Sequence, residues 1–369
     1  MKQQVERGVA PSLEWLSDPS IYAVGRIHAH SDHRYYETKL EAEWLGEMRW
    51  RHSLNGSWKF SYAHNAMERQ AHFYKENVSC RGWDDIEVPG HIQLQGFGQP
   101  QYVNTMYPWD GHEHLRPPMI SEDHNPVGSY VKYFVVPAGW EQRPLYISFQ
   151  GVESAFYIWL NGEFVGYSED SFTPSEFDLT PYLTEGENKL AVEVYQRSTG
   201  SWLEDQDFWR FSGIFRDVYL YTVPDVHVRD LHVQSDLDEQ FEQGTLTAVL
   251  QLMGKPASKV ILELKDKAGN LVVRSETGVA GDSVSLALEA SKVHLWSAED
   301  PNLYTLYVSV YSAAGDLMEV VPQKVGFRKF EMIDKIMHLN GKRIVFKGVN
   351  RHEFNSRYGR SITKEDMIW

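Results

Sequence analysis

From Leu54 to Val223, apolar and polar residues alternate in short runs, the two-residue period of strands whose side chains face opposite sides. "GSWKFSYA" sets Trp58, Phe60 and Tyr62 on one face. "SYVKYFVV", "RPLYISFQG", "NKLAVEVYQ" and "FRDVYLYTV" repeat the pattern. In "ESAFYIWLNGEFVGYSED", Phe156, Ile158 and Leu160 share one face and Tyr157 and Trp159 the other. Asn161–Gly162 follows, a dipeptide suited to a tight type I′ hairpin in which both residues need positive φ. Short strands, turn signals and almost no helical period predict a β-sandwich of jelly-roll type.

Pro224 marks a boundary. "VHVRDLHVQSD", "GTLTAVLQLMG", "KVILELKDKAGNLVVRSE", "SVSLALEA" and "NLYTLYVSVYSAAGDLMEVVPQKVGF" follow, with "KAGN" and "AAGD" as hairpin turns. About seven strands in about 110 residues predict an immunoglobulin-like sandwich. This block carries no cluster that suggests chemistry and reads as a spacer.

After Arg328 the pattern changes. "KIMHLNGKRIVFKGVN" predicts a hairpin at Asn340–Gly341, then a nearly continuous apolar strand, Arg343 to Val349, suited to a parallel sheet buried on both faces. Thr363 with Asp366 resembles a capping box and opens a helix. Strand, polar loop and helix form one βα unit, the repeat of a (β/α)₈ barrel that keeps its chemistry on the loops after the strands. The predicted fold class is therefore all-β, a jelly roll and an immunoglobulin-like sandwich followed by the first βα unit of a barrel. The domains expected are an arm at 1–45, the jelly roll at 46–223, the second sandwich at 224–333 and the start of the barrel at 334–369.

In the arm, "RIHAHSDHRYY" is rich in histidine without a metal-ligand repeat. It reads as a segment lying on another surface in preference to a metal site. The net charge of −15 argues against nucleic acid and anionic membranes as partners. No apolar run approaches the roughly 18 residues of a membrane helix. The N-terminus has no apolar signal region, and the single cysteine, Cys80, has no internal disulfide partner, so a cytoplasmic location is expected. The 12 Trp and 20 Tyr fit large sandwich cores first and sugar-stacking surfaces second.

Several runs resemble the large β-galactosidases of glycoside hydrolase family 2. They are "SLNGSWKF", "VPGHIQLQGFGQPQYVNTMYP", "NPVGSYVKYF", "GENKLAVEVYQRSTGSWLEDQDFWRFSGIFRDVYL", "LWSAEDPNLYTL", "VGFRKFE" and "LNGKRIVFKGVNRHE", in family order. β-Glucuronidases and β-mannosidases share the architecture, while "NTMYP" and "LEDQD" point to galactosidase. The resemblance implies a β-galactoside substrate such as lactose, hydrolysis with retention, and a homo-oligomer or complementing subunit at full length. It also implies that this chain is part of a longer enzyme whose two catalytic glutamates lie on later barrel strands. The alternatives are a carbohydrate-binding or assembly module without catalysis, or a related family 2 β-glucuronidase or β-mannosidase.

The resemblance implies three substrate-binding residues. His352 would hydrogen-bond a galactosyl hydroxyl, Asn104 would reach the sugar from a jelly-roll loop, and Asp207 would contact the 6-hydroxyl and ligate a sodium ion. Glu204 and Asp205, beside Asp207, read as structural, and Glu353 reads as a buried polar anchor. The loop has Phe354 and Asn355 where the best-known members have further histidines. Magnesium is implied for the full-length enzyme, with its active-site ligands beyond this chain. One ligand of a second, structural magnesium falls at Thr199, so that site is not predicted.

Overall fold

A computed structural model describes residues 9–204 and 207–368. The chain divides into two compact units. The first takes residues up to His28, Arg51–Thr222 and those from Arg351 on; the second takes Ala29–Trp50 and Val223–Asn350.

In the first unit a seven-stranded sheet has the order Ala23–Val24, Glu163–Ser168, Ala155–Leu160, Glu187–Tyr195, Val127–Val135, Gly56–Ala63, Asp84–Val88. A four-stranded sheet has the order Ser175–Asp178, Tyr146–Phe149, Val218–Tyr221, Arg51–Ser53. Phe156 from the first sheet meets Phe149 and Phe177 from the second at ring-centroid distances of 5.2 and 6.1 Å. This is the expected jelly-roll core.

Ala155–Leu160 is buried on both faces because its far side is covered as well. Trp15 stacks on Tyr157 at 5.9 Å and Tyr74 on Trp159 at 4.7 Å. The Tyr157 hydroxyl donates to the Ser12 carbonyl at 2.8 Å. Lys189 donates to the carbonyls of Phe73, Lys75 and Val78 at 2.6, 2.8 and 2.6 Å, which holds the second covering segment. Asn161 and Gly162 take φ values of 51° and 85°, with Leu160 opposite Glu163, as the dipeptide predicts.

The second unit packs a three-stranded sheet, Val226–Leu237, Gln243–Gly254, Ser283–Ser291, and a four-stranded sheet, Leu271–Gly278, Ala257–Lys265, Tyr304–Ser312, Leu317–Val325. In Ser283–Ser291 exposed and buried residues alternate without a break, with Val284, Leu286, Leu288 and Ala290 inward. The expected seven strands are all present. Residues 29–50 belong here: Tyr36 exchanges both backbone hydrogen bonds with Val320, at 3.0 and 2.8 Å.

The expected hairpin forms at Asn340–Gly341, with φ values of 49° and 74°. The strand expected at Arg343 to Val349 does not. Strand pairing ends at Lys342–Arg343, and Val345, Phe346 and Val349 are exposed. Past the Ile344 N–H, which donates to the Met337 carbonyl at 2.9 Å, no neighbouring strand among the described residues pairs with this run, and Phe346 stays exposed although its ring lies 6.3 Å from that of Phe330. The helix forms at Lys364–Ile368, with the Thr363 N–H donating to Asp366 and the Asp366 N–H to Thr363, at 2.8 and 3.1 Å.

Residues 344–350 should be the first site of limited proteolysis. Lys347 and Arg351 are exposed and outside any ladder. Brief trypsin treatment with mass spectrometry should give cleavage after Lys347 or Arg351 before any cut inside either sandwich. Early cutting inside a sandwich would contradict this picture.

Candidate functional site

The first unit brings the sequence-predicted residues together. Gln101–Val103 pairs antiparallel with Phe208–Arg210, with Tyr102 opposite Trp209. Just before the second of these strands, Asp207 adopts φ 59°, a left-handed conformation that aspartate tolerates better than most residues. Its N–H donates to the Asn104 carbonyl at 2.9 Å, which extends the ladder and sets Asn104 beside Asp207. The Tyr102 hydroxyl donates to Asp207 Oδ1, and that carboxylate raises the tyrosine above its ordinary pKa.

His352 arrives from the other end of the chain, with its ring stacked on Phe208 at 6.2 Å. Phe354 stacks on Phe211 at the same distance. Asn104, Asp207 and His352 are all exposed, as a sugar-contacting set requires. Tyr102 and Trp209, half-exposed and 5.5 Å apart, add aromatic surface next to the Asp207 carboxylate. Asp205 lies outside the described residues. Glu204 is structural, as expected: its side chain accepts from Ser171 at 3.1 Å and its carbonyl from Arg210 at 2.7 Å. Glu353 is exposed, which corrects its reading as a buried anchor; the loop bearing it has no strand to bury it against. Thr199 donates to Glu169 at 2.6 Å. Burial pushes Glu169 up to about 7 despite the hydrogen bonds from Thr199 and Tyr167.

Sequence reasoning missed the buried pair that lies behind Phe208, the ring on which His352 stacks. Arg360 and Glu153 form an ion pair with both side chains at most 5% exposed. The Arg360 guanidinium also lies over the Phe208 ring, 4.5 Å from its centroid. The Arg360 N–H donates to His91 Nε2 at 3.0 Å, and Ser361 donates to the Phe215 carbonyl at 2.9 Å. Burial, with a smaller effect from Arg360, lowers His91 to about 3. A neutral ring is what allows Nε2 to accept. Arginine in a polar stretch gave no local signal of a partner 207 residues away.

Asp207 suits one place in a hard cation's shell. It is an exposed carboxylate with Oδ1 engaged by Tyr102 and Oδ2 without a protein partner among the described residues. One carboxylate does not complete a sodium site, so further oxygens have to come from elsewhere. Beside the site a cavity of about 560 Å³ is lined by Gln101, Trp109, His124 and Arg197 among others. There Arg197 donates to Gln101 at 2.7 Å.

Glu153→Gln should destabilise the first unit by about 3–5 kcal/mol, because it strands the Arg360 charge in the interior. Replacing both partners with apolar residues of similar size should recover most of the loss. Urea midpoints of the single and double variants test this. A single variant within 1 kcal/mol of wild type, by order of magnitude, would remove the pair's structural role.

His91 makes the first unit acid-sensitive. Its folded pKa of about 3 lies below the ordinary 6.5, so below about pH 6.5 the unfolded chain takes up a proton that the folded chain refuses. Stability from this group is complete above that pH and drains away as pH falls toward 3. By pH 5 the loss is about 2 kcal/mol. Glu169 acts in the opposite sense, so the comparison is wild type against His91→Gln at each pH. The gap between them should change in the variant's favour from pH 7.5 to 5. A gap independent of pH would show that His91 is not held neutral.

Residues 51–224 match the sugar binding domain of glycosyl hydrolases family 2, 226–328 match glycosyl hydrolases family 2, and 330–369 match that family's TIM barrel domain. A beta-galactosidase of Halalkalibacterium halodurans is 62% identical over 359 residues, 97% of this chain and 35% of the relative. A beta-galactosidase large subunit of Latilactobacillus sakei is 44% identical over 371 residues, 97% of this chain and 59% of the relative. Among solved structures, Bifidobacterium dentium β-glucuronidase complexed with coumarin-3-O-glucuronide aligns with a TM-score of 0.70 at 20% identity, over 87% of this chain and 55% of its own. That last likeness is one of fold. The chain spans 35% and 59% of the length of the two sequence relatives.

Proposed function

The chain belongs to glycosyl hydrolase family 2, and we propose that it is the N-terminal, sugar-reading part of a retaining β-galactosidase acting on terminal β-D-galactosides of the lactose kind. The convergence of Asn104, Asp207 and His352 beside exposed aromatic surface carries this reading. An asparagine amide both donates and accepts, a carboxylate accepts, and an imidazole does either, which suits a ring of sugar hydroxyls. A glucuronide would present a carboxylate where galactose presents its 6-hydroxyl, and Asp207 would repel it.

Retaining hydrolysis needs two carboxylates about 5–5.5 Å apart, one as nucleophile and one as acid and base. We assign that pair, and the active-site magnesium, to barrel residues that this chain does not supply. Sodium, when bound at Asp207, would supply a fixed positive charge toward the 6-hydroxyl. The large-subunit name of one relative supports assembly with a second polypeptide. No helix of the described residues is long and apolar enough to cross a membrane, and a cytoplasmic location suits the free, buried Cys80.

The purified chain should not turn over a chromogenic galactoside, and mixing with a polypeptide carrying the rest of the barrel should restore activity. In that assembly Asp207→Asn should lower kcat/KM by roughly 30- to 1000-fold, equivalent to about 2–4 kcal/mol, and weaken the response to sodium. Glu204→Gln, whose carboxylate faces Ser171, should act on stability and leave kcat/KM within a few-fold. Equally mild effects of both variants would take Asp207 out of the site. Galactose binding without any restorable turnover would favour a binding module.

A further inference from the structure

In the second unit, three side chains from separate parts of the chain meet, two of them buried and the third partly buried. Glu319, on Leu317–Val325, is fully buried; His227, on Val226–Leu237, is buried beside it. Glu319 Oε2 accepts the Val228 N–H at 2.7 Å, and Oε1 lies 2.9 Å from His227 Nδ1. The third is His33, from the histidine-rich run. A ring nitrogen of each histidine and a Glu319 carboxylate oxygen all lie within 4.8 Å of one another.

His33 is the unusual member. Its Nδ1 is 2.8 Å from Ser31 Oγ, which itself accepts the Leu231 N–H at 2.8 Å. Its Nε2 is sealed from solvent and makes no hydrogen bond of good geometry, the Val228 backbone acting on the ring only weakly. With the proton on Nδ1, shared with Ser31, Nε2 presents a lone pair.

We propose that His33, His227 and Glu319 form a binding site for a first-row transition dication, zinc above all. Two imidazoles and one carboxylate are a zinc donor set, whereas magnesium and calcium prefer oxygen alone. Tetrahedral zinc with ligands at about 2.0–2.2 Å places them about 3.3 Å apart, within the limit that the cluster sets. Entry of the ion replaces the proton between His227 Nδ1 and Glu319 Oε1, and that 2.9 Å contact opens slightly. The proton leaves to solvent, and water fills the fourth position. Ser31 and the Val228 N–H hold His33 and Glu319 in orientation from behind. His227 and Glu319 lie on different sheets of this sandwich, so the ion ties segment 29–36 to both. The site is separate from the sugar contacts and independent of the function proposed above.

The whole chain, stripped with a chelator and titrated with cobalt(II), tests the site. One equivalent should bind with the intense visible bands of tetrahedral cobalt, and zinc should bleach them. Zinc in ~100-fold excess over its Kd should raise the Tm of the second unit by ~5 °C. His33→Gln should abolish the bands and the zinc shift while melting normally in chelator. Ser31→Ala, which keeps every ligand, should weaken cobalt binding by about 10- to 100-fold. No tetrahedral bands in wild type, or equal bands and zinc shifts in His33→Gln, would overturn the proposal. If His33→Gln fails to fold, Ser31→Ala decides, and unchanged cobalt affinity there overturns it.

Discussion

The first unit turns on one buried contact, the pairing of the Arg360 guanidinium with Glu153. Taking two charges from water is costly, and the cost is met only when both are matched and the remaining donors are used. The Arg360 guanidinium faces a carboxylate and lies over the rings of Phe208 and Phe211, and its backbone N–H donates to neutral His91. Because Phe208 follows Asp207 directly and stacks on His352, the same guanidinium braces both sides of the candidate site. Asn104 joins through its backbone bond to Asp207. A buried ion pair therefore stands directly behind the ring that neighbours the three exposed polar groups.

A second constraint is that the seven-stranded sheet is apolar on both faces. One face is closed by the four-stranded sheet. The other would expose Tyr157, Trp159, Tyr167 and Tyr195 without Trp15, Leu16 and Phe73 over it. Contiguous apolar surface of that extent does not persist on a soluble sandwich. The start of the arm is thus part of the core, with Trp15 set against the rings of Tyr157, Phe164 and Tyr167 of the sheet.

What the sequence disclosed and what it hid divide by range. Alternation, Asn–Gly turns and the Thr363 cap are set by residues a few positions apart, and each appears where local reasoning puts it. The stretch Arg343 to Val349 also has a strong local pattern, yet it lacks a ladder, because a strand is completed only by its neighbours. Asn104, Asp207 and His352 were singled out through family resemblance, not through spacing. Arg360–Glu153 and the His33 cluster join residues far apart, and a single charged residue in a polar run carries no mark of its partner.

The buried carboxylates show why the His33 cluster stands apart. Glu153 faces a permanent cation in Arg360, and Glu193 faces Arg69 at 3.1 Å with the Tyr195 hydroxyl at 2.6 Å. Glu169 has only hydroxyl donors, so burial prevails and its pKa rises to about 7. Two of these groups are closed by arginines, which do not release their protons, and the third can hold its own. Glu319 differs from all of them, since its partner is an imidazole that can exchange its proton for another cation. A second imidazole with an unmet nitrogen stands beside that pair. Of these four acids, Glu319 alone has an imidazole partner, and the surrounding atoms are those that a transition metal selects.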